Sequence, residues 1–237
     1  MARTSPLRDA CDAALAILET LRVENMRAAA VVGGAFLPKS TGKVSVASYG
    51  DWPILEIVVS HGMPSIERAG LVAACAERGI ETIFILAEGH SIEARIPADH
   101  IVALTGHINL MGDNPLIGPH DPALGPRFPD MLQPFSCGQL GMVEGESVLR
   151  PCVYASCPSD MTLDPLRREP LAQIGVDIVG PWIGPELLIA RQRSMKVLAF
   201  AAPASAHYEV VSSKITCGLY YSQFREVVAR ILAQLCP

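Results

Sequence analysis

The sequence predicts an α/β fold: a mostly parallel sheet covered by helices on both faces. Three observations carry that expectation. Short runs of small and β-branched apolar residues recur along the chain, of the kind found in strands buried on both sides. Stretches with apolar residues at helical spacing alternate with them. Half of the 237 residues are apolar and only 18% are charged, below the usual quarter, so there is ample material for a core.

Asp9 to about Glu24 places Ala13, Ala14, Ile17, Leu18 and Leu21 on one helical face. The stretch from Arg27 to Phe36 reads as a buried strand ending in glycines, and Val44–Ser48 and Leu55–Ser60 as further strands. Ser65–Arg78 is the next helix, with Ser65 as its N-cap and Arg78-Gly79 as its stop. Glu81–Ala87 and Ile101–Leu104 follow as strands, and residues 109–135 as loop, because proline and glycine recur there without periodicity. Ser147–Ala155 reads as a strand and Asp164–Gln173 as a helix stopped at Gly175. Asp177–Val179, the helix Pro185–Arg193 and the strand Lys196–Ala201 make a β-α-β unit. Tyr220–Leu235 closes the chain as an amphipathic helix. No linker, repeat or low-complexity tract divides the sequence, so a single domain over residues 1–237 is expected.

The charge balance narrows the function. Lys plus Arg number 19 against 24 Asp plus Glu, for a net charge of −5 with 5% aromatic residues. Nucleic acid is therefore not the expected partner. The longest apolar runs, such as Ile80–Ala87 and Val197–Ala204, are far shorter than the ~20 residues of a spanning helix. The first residues show no basic segment leading into an apolar one, so no secretory signal is expected. The seven cysteines are scattered without a C-x-x-C pair, which favours reduced, buried thiols in a cytoplasmic protein over a zinc site or a disulfide framework.

Two stretches go beyond fold class. Gly106-His107-Ile108-Asn109-Leu110 runs through Asn114-Pro115-Leu116-Ile117-Gly118-Pro119-His120-Asp121 to Gly125-Pro126-Arg127-Phe128-Pro129-Asp130-Met131. It closely resembles the D-H-I-N-L…N-P-L-x-G-P-N-D…G-x-R-F-P-x-M segment of the trimeric purine nucleoside phosphorylase and methylthioadenosine phosphorylase family. Gly175-Val176-Asp177-Ile178-Val179-Gly180, continuing in Gly184-Pro185-Glu186-Leu187-Leu188-Ile189-Ala190-Arg191, is similar to that family's G-A-D-x-V-G-M-S-T-x-P-E-x-x-x-A-R. The resemblance covers about Ile80 to Ser205 well and thins on either side.

The resemblance implies a phosphorylase-type α/β fold with a central mixed sheet, a homotrimer, and N-glycosidic bond cleavage on a nucleoside. No metal or cofactor is implied beyond inorganic phosphate as a co-substrate. The reaction passes through a cation-like sugar. It therefore needs an anion behind the sugar carbon and a hydrogen-bonding group at the leaving base.

Carried over position by position, the site is strongly altered. The first phosphate turn of the family corresponds to Gly33-Gly34-Ala35-Phe36, without its serine. The arginine- and histidine-bearing phosphate motif corresponds to the stretch from His61 to Arg68, where no arginine stands at the matching place. The N-A-A-G turn reads Leu86-Ala87-Glu88-Gly89. The base-reading F-E-T reads Asp160-Met161-Thr162, Trp182 replaces a phosphate-binding serine, and Ser205 stands where a base-binding asparagine is expected. The candidate catalytic residues are accordingly His61, Glu88 and Asp160. The candidate substrate-binding residues are Gly33, Gly34, Ala87, Gly89, Met161, Thr162, Trp182 and Ser205. His90, Glu67 and His207 are further polar residues near the same motifs. His107 and Asn109, and the pair Arg127 and Asp130, read as structural braces. Three functions fit this pattern: a divergent nucleoside-cleaving enzyme, an enzyme of the same fold turned to a less anionic small molecule, or a non-catalytic ligand- or partner-binding relative.

Overall fold

A computed structural model describes residues 5–21, 26–33, 36–37, 42–60, 62–92, 96, 100–136, 151–158, 165–181, 183–204 and 214–235. Its elements are α1 (Pro6–Glu19), β1 (Ala28–Gly33), β2 (Val44–Tyr49), β3 (Trp52–Val59), α2 (Ser65–Glu77), β4 (Thr82–Ser91) and β5 (Val102–Asn109). They continue through β6 (Pro151–Ser156), α3 (Pro165–Gln173), β7 (Ile178–Gly180), α4 (Gly184–Gln192), β8 (Lys196–Ala204) and α5 (Lys214–Leu235). The expected α/β class holds, and so does the mixed, mostly parallel sheet.

The sheet runs β2-β3-β1-β4-β7-β6-β5-β8, and β4 also pairs with β8. That extra pairing closes β4, β7, β6, β5 and β8 into a five-stranded ring, from which β1, β3 and β2 extend as an open wing. Pairs β1–β3, β1–β4, β4–β8, β5–β6 and β6–β7 are parallel, whereas β2–β3, β4–β7 and β5–β8 are antiparallel. The expected β-α-β unit across α4 is corrected by this arrangement. β8 is parallel to β4 and β7 antiparallel to it, so β7 and β8 oppose one another with β4 between them.

Alternation along β4 sorts the core. Ile83, Ile85 and Ala87 join the cluster that includes the residues of α1, α2 and α4. Phe84 and Leu86 join a second cluster with Phe200, Phe224 and Tyr220, which is covered by α5. A third cluster, Ala155, Cys157, Val176 and Val179, takes Leu171 of α3. The ring interior lies on the first of these faces, because a Cβ on Gly89 would meet Ile178 Cγ2 at 2.5 Å and Tyr154 Cε2 at 3.1 Å. Both faces are thus covered, as the uninterrupted apolar runs predict.

Several boundaries move. α1 ends at Glu19, and Thr20 closes it by bonding its hydroxyl back to Ile17 O at 2.7 Å. α2 begins at Ser65, so the cap position falls to Pro64, while the Ser65 hydroxyl bonds to the Asp113 carboxylate. β4 and β5 each run beyond their apolar cores, since pairing with β8 and β6 carries polar residues into the ladder. Asn109 ends β5, and residues 110–135 are loop apart from one 3-10 turn at Pro122–Leu124. Cys11, Cys75, Cys152, Cys157 and Cys217 are buried thiols outside any disulfide. No described helix is long and apolar enough to cross a membrane.

Candidate functional site

The carboxyl ends of the parallel strands converge along one rim. Gly33 ends β1 in register with Val59 of β3, and Val32 faces Leu86 of β4. Farther along, Glu88, Gly89 and His90 of β4 face Ala202, Pro203 and Ala204 of β8. β7 approaches from the opposite direction, with Val179 against His90. Ligands in open α/β sheets bind outside such strand ends, where neighbouring connections diverge.

Of the sequence candidates, the rim brings together Gly33, Ala87, Glu88 and Gly89. Gly33 is covered by an aromatic ring: Phe36 donates its N–H to Gly33 O at 3.1 Å, and a Cβ on Gly33 would touch Phe36 Cε2 at 3.4 Å. Ala87 is 1% exposed and faces the core, and Gly89 leaves the room taken by Ile178 and Tyr154. Glu88 is the half-buried carboxylate at the rim. Its own carbonyl accepts the Tyr154 hydroxyl at 2.8 Å from across the ring. His61, Gly34, Asp160, Met161, Thr162, Trp182, Ser205 and His207 lie outside the described residues. The strands leading into them nevertheless end at this rim: β3 before His61, β6 before Asp160–Thr162, β7 before Trp182 and β8 before Ser205.

The turn after β7 is seated tightly. Cys157 N–H donates to Gly180 O at 2.9 Å, and a Cβ on Gly180 would overlap the Tyr154 hydroxyl and lie 2.7 Å from Glu88 O. Only glycine fits between these groups. Sequence reading placed this glycine in a motif without assigning it a role.

His90 is two residues beyond Glu88 on the same, outer face of β4. Its pKa is lowered, first by burial and then by the nearby Arg168 guanidinium of α3, with Glu88 acting in the opposite sense. A neutral imidazole results, with one donor and one acceptor nitrogen. Cys217 of α5 has its thiol pushed up by burial and by Glu88. Arg168 and Cys217 are the residues that sequence reading missed, because nothing local marks two helix positions far apart in the chain as neighbours of one strand end.

Of the residues read as braces, His107 and Asn109 hold neighbouring segments, whereas Arg127 and Asp130 bond to separate backbone groups. His107 Nε2 and Ser156 Oγ are 2.7 Å apart, and burial pushes His107 down to about 4. Asn109 bonds Met111 N at 3.0 Å and Asp113 O at 3.3 Å, pinning the start of the loop. Arg127 donates to Gly118 O at 3.0 Å, and Asp130 accepts from Leu132 N at 2.9 Å, each closing its own turn. Arg8 adds a clamp from α1 through Asp121 at 2.7 Å and Glu77 at 2.8 Å. Glu67 is exposed in the first turn of α2. Arg68, seven residues beyond His61 in the sequence, is buried against Glu186 of α4 at 3.0 Å. That pairing commits its charge between α2 and α4 rather than to a ligand.

Comparison with known proteins gives a consistent answer. No protein-family model matches the chain. It is 29% identical to purine nucleoside phosphorylase 1 of Geobacillus stearothermophilus over 143 residues, covering 58% of this chain and 52% of that one. It is 28% identical to the Bacillus subtilis purine nucleoside phosphorylase 1 over 173 residues, covering 66% and 62%. The matched segments therefore span about half to three-fifths of these relatives. Among solved structures, a Schistosoma purine nucleoside phosphorylase in complex with guanosine superposes with a TM-score of 0.79 at 15% identity, covering 99% of this chain and all of the other. A Schistosoma mansoni purine nucleoside phosphorylase in complex with inosine gives a TM-score of 0.77, also at 15% identity and covering 99% of each chain. Sequence relatives and fold agree: over the matched segments the chain is similar to purine nucleoside phosphorylases, and it shares the fold of the solved ones.

Proposed function

We propose that this protein binds a nucleoside or a related small molecule at the strand-end rim and cleaves its N-glycosidic bond, with phosphate or water as the second reactant. The observation that carries the reading is the convergence of β1, β3, β4 and β8 with the β7 turn, which brings the Glu88 carboxylate to the edge where the ligand-bearing loops begin. A carboxylate there stabilises a leaving base or a developing positive charge by hydrogen bonding and field. His61 and Asp160 enter as partners in proton transfer, and Gly33, Gly34, Ala87, Gly89, Met161, Thr162, Trp182 and Ser205 as the binding surface. Guanosine and inosine, bound by the structural neighbours, are the first substrates to test.

A second reading is favoured by one observation. Phe36 covers Gly33, and Arg68 is spent on Glu186, so among the described residues neither the Gly33 turn nor Arg68 is open to an anion. An enzyme of the same fold acting on a less anionic molecule fits these two facts. Incubation with inosine, guanosine, adenosine or methylthioadenosine, with and without phosphate, separates the readings by base release. Release only with phosphate establishes phosphorolysis, and release in either buffer establishes hydrolysis. No release in either leaves the second reading.

Assembly belongs to the same proposal. Ile117, Phe128 and Leu132 of the 109–135 segment are 72%, 85% and 90% exposed, a surface suited to burial between copies. A homotrimer in the cytoplasm is the expected state, and a light-scattering mass equal to one chain counts against it.

A further inference from the structure

The outer face of β4 carries two polar side chains that the packing of the core does not require. Alternation continues unbroken through the β4–β8 pairing from Thr82 to His90, so Glu88 and His90 extend the face begun by Phe84 and Leu86. α5 borders them on one side. Tyr220, one turn beyond Cys217, donates its hydroxyl to Pro203 O at 3.2 Å, and Pro203 is paired with Gly89, the residue between Glu88 and His90. α3 borders them on the other side. Leu171, one turn beyond Arg168, packs on the same cluster as Ile92, which continues the face of Glu88 and His90. A carboxylate and an imidazole thus stand side by side between two helices, with a guanidinium on one flank and a thiol on the other.

We propose that Glu88 and His90 together read the edge of a bound nitrogen heterocycle: Glu88 accepts from a ring or exocyclic N–H, and His90 donates to the adjacent acceptor atom. Arg168 favours negative partial charge on that acceptor, and Cys217 forms the apolar wall beside Glu88. Successive same-face strand residues lie roughly 6–7 Å apart, a span that a bicyclic base bridges with neighbouring donor and acceptor atoms. Burial keeps His90 neutral and so able to present a donor without a charge. A bound edge with a mismatched donor or acceptor leaves one of these two groups opposite the wrong atom, which is how such a pair discriminates. The inference rests on the nucleoside reading and identifies two specificity-determining residues within it.

The test measures binding of free hypoxanthine and adenine by calorimetry, independently of turnover. Alkylation of Cys217 by iodoacetamide, followed by peptide mapping, is measured in parallel. Glu88→Gln keeps the shape and removes the charge, and His90→Phe keeps the ring and removes both nitrogens. Each is expected to weaken binding of the preferred base by about tenfold or more, the effect of losing one good hydrogen bond, with an unchanged melting temperature. His90→Gln restores part of the loss. Base is expected to slow Cys217 alkylation in the unmodified protein and not in the two weakened variants. Should a variant fail to fold, protection of Cys217 in the unmodified protein decides alone.

Binding within twofold in both variants overturns the inference, as does a protein whose Cys217 no base protects. Base binding with Cys217 protection but no nucleoside cleavage leaves the inference standing and removes the catalytic reading. Cleavage that survives both substitutions unchanged overturns the inference together with the role given to the Glu88 carboxylate, while nucleoside cleavage itself stands.

Discussion

Substitution of Gly180 by alanine tests the seating of the β7 turn against the rim. The added Cβ would overlap the Tyr154 hydroxyl, lie 2.7 Å from Glu88 O and lie 3.0 Å from Tyr154 Cζ. Tyr154 is fully buried inside the closed ring, so its ring has little room to swing away. The variant must move the phenol and break its 2.8 Å hydrogen bond to Glu88 O. Overpacking of this kind costs about 1–3 kcal/mol, and the unpaired buried carbonyl adds about 1–2 kcal/mol. Gly180→Ala is therefore expected to destabilise the protein by about 3–4 kcal/mol, a large part of the 5–15 kcal/mol typical of a folded domain. Tyr154→Phe alone should cost about 1–1.5 kcal/mol. Removing the hydroxyl also removes the worst overlap, so the double variant should cost only about 2–3 kcal/mol, clearly less than the sum. Urea unfolding followed by far-ultraviolet circular dichroism measures all three. A Gly180→Ala protein within about 1 kcal/mol of its parent, or a double variant that is fully additive, refutes the packing argument.

Acid titration should expose His107. Its folded pKa of about 4 lies below its ordinary 6.5, so the unfolded chain binds the proton more readily. Stability is then fully present above about 6.5 and falls as pH drops toward 4, by about 2–3 kcal/mol at 1.36 kcal/mol per pKa unit. His107→Gln should flatten that part of the stability curve, and an unchanged slope would exclude His107 as its source; His90 contributes in the same direction. The buried Arg68–Glu186 pair should behave asymmetrically: Arg68→Met strands a carboxylate and costs about 3–5 kcal/mol, whereas Arg68→Met with Glu186→Leu is near neutral. Equal losses in the single and double variants would contradict that account. Tyr221→Phe removes one of the two phenols bonded to the buried Glu56, the other being Tyr49 at 2.6 Å, and should cost about 1.5 kcal/mol in thermal unfolding. No measurable change would mean that the Glu56 cluster does not help dock α5.

Strand cores were legible wherever apolar residues run without interruption, as in Ala28–Gly33. Their ends were not. The apolar run of β4 stops at Ala87, yet the strand continues to Ser91 because β8 and β7 supply backbone partners to Glu88, Gly89 and His90. β5 outlasts Leu104 for the same reason, through β6. The misjudged unit around α4 has a related cause: strand, helix and strand in order look alike whether the second strand returns parallel or opposed. The site was legible only in part. Motif position pointed to Glu88, whereas Arg168 and Cys217 belong to elements that meet β4 only after the chain folds.

By itself, the sequence determined what is local and what is carried by long motifs. Apolar periodicity settled the α/β class, because buried strands and amphipathic helices have different side-chain repeats. The stretches 106–131 and 175–191 carried the resemblance to nucleoside phosphorylases. Tertiary structure alone decided the closure of five strands into a ring, the opposed directions of β7 and β8, and the commitment of Arg68 to Glu186. It also decided the meeting of Glu88, His90, Arg168 and Cys217 at one edge. Each of these depends on hydrogen bonds or charges between residues distant along the chain, and such pairings leave no trace in local composition or period.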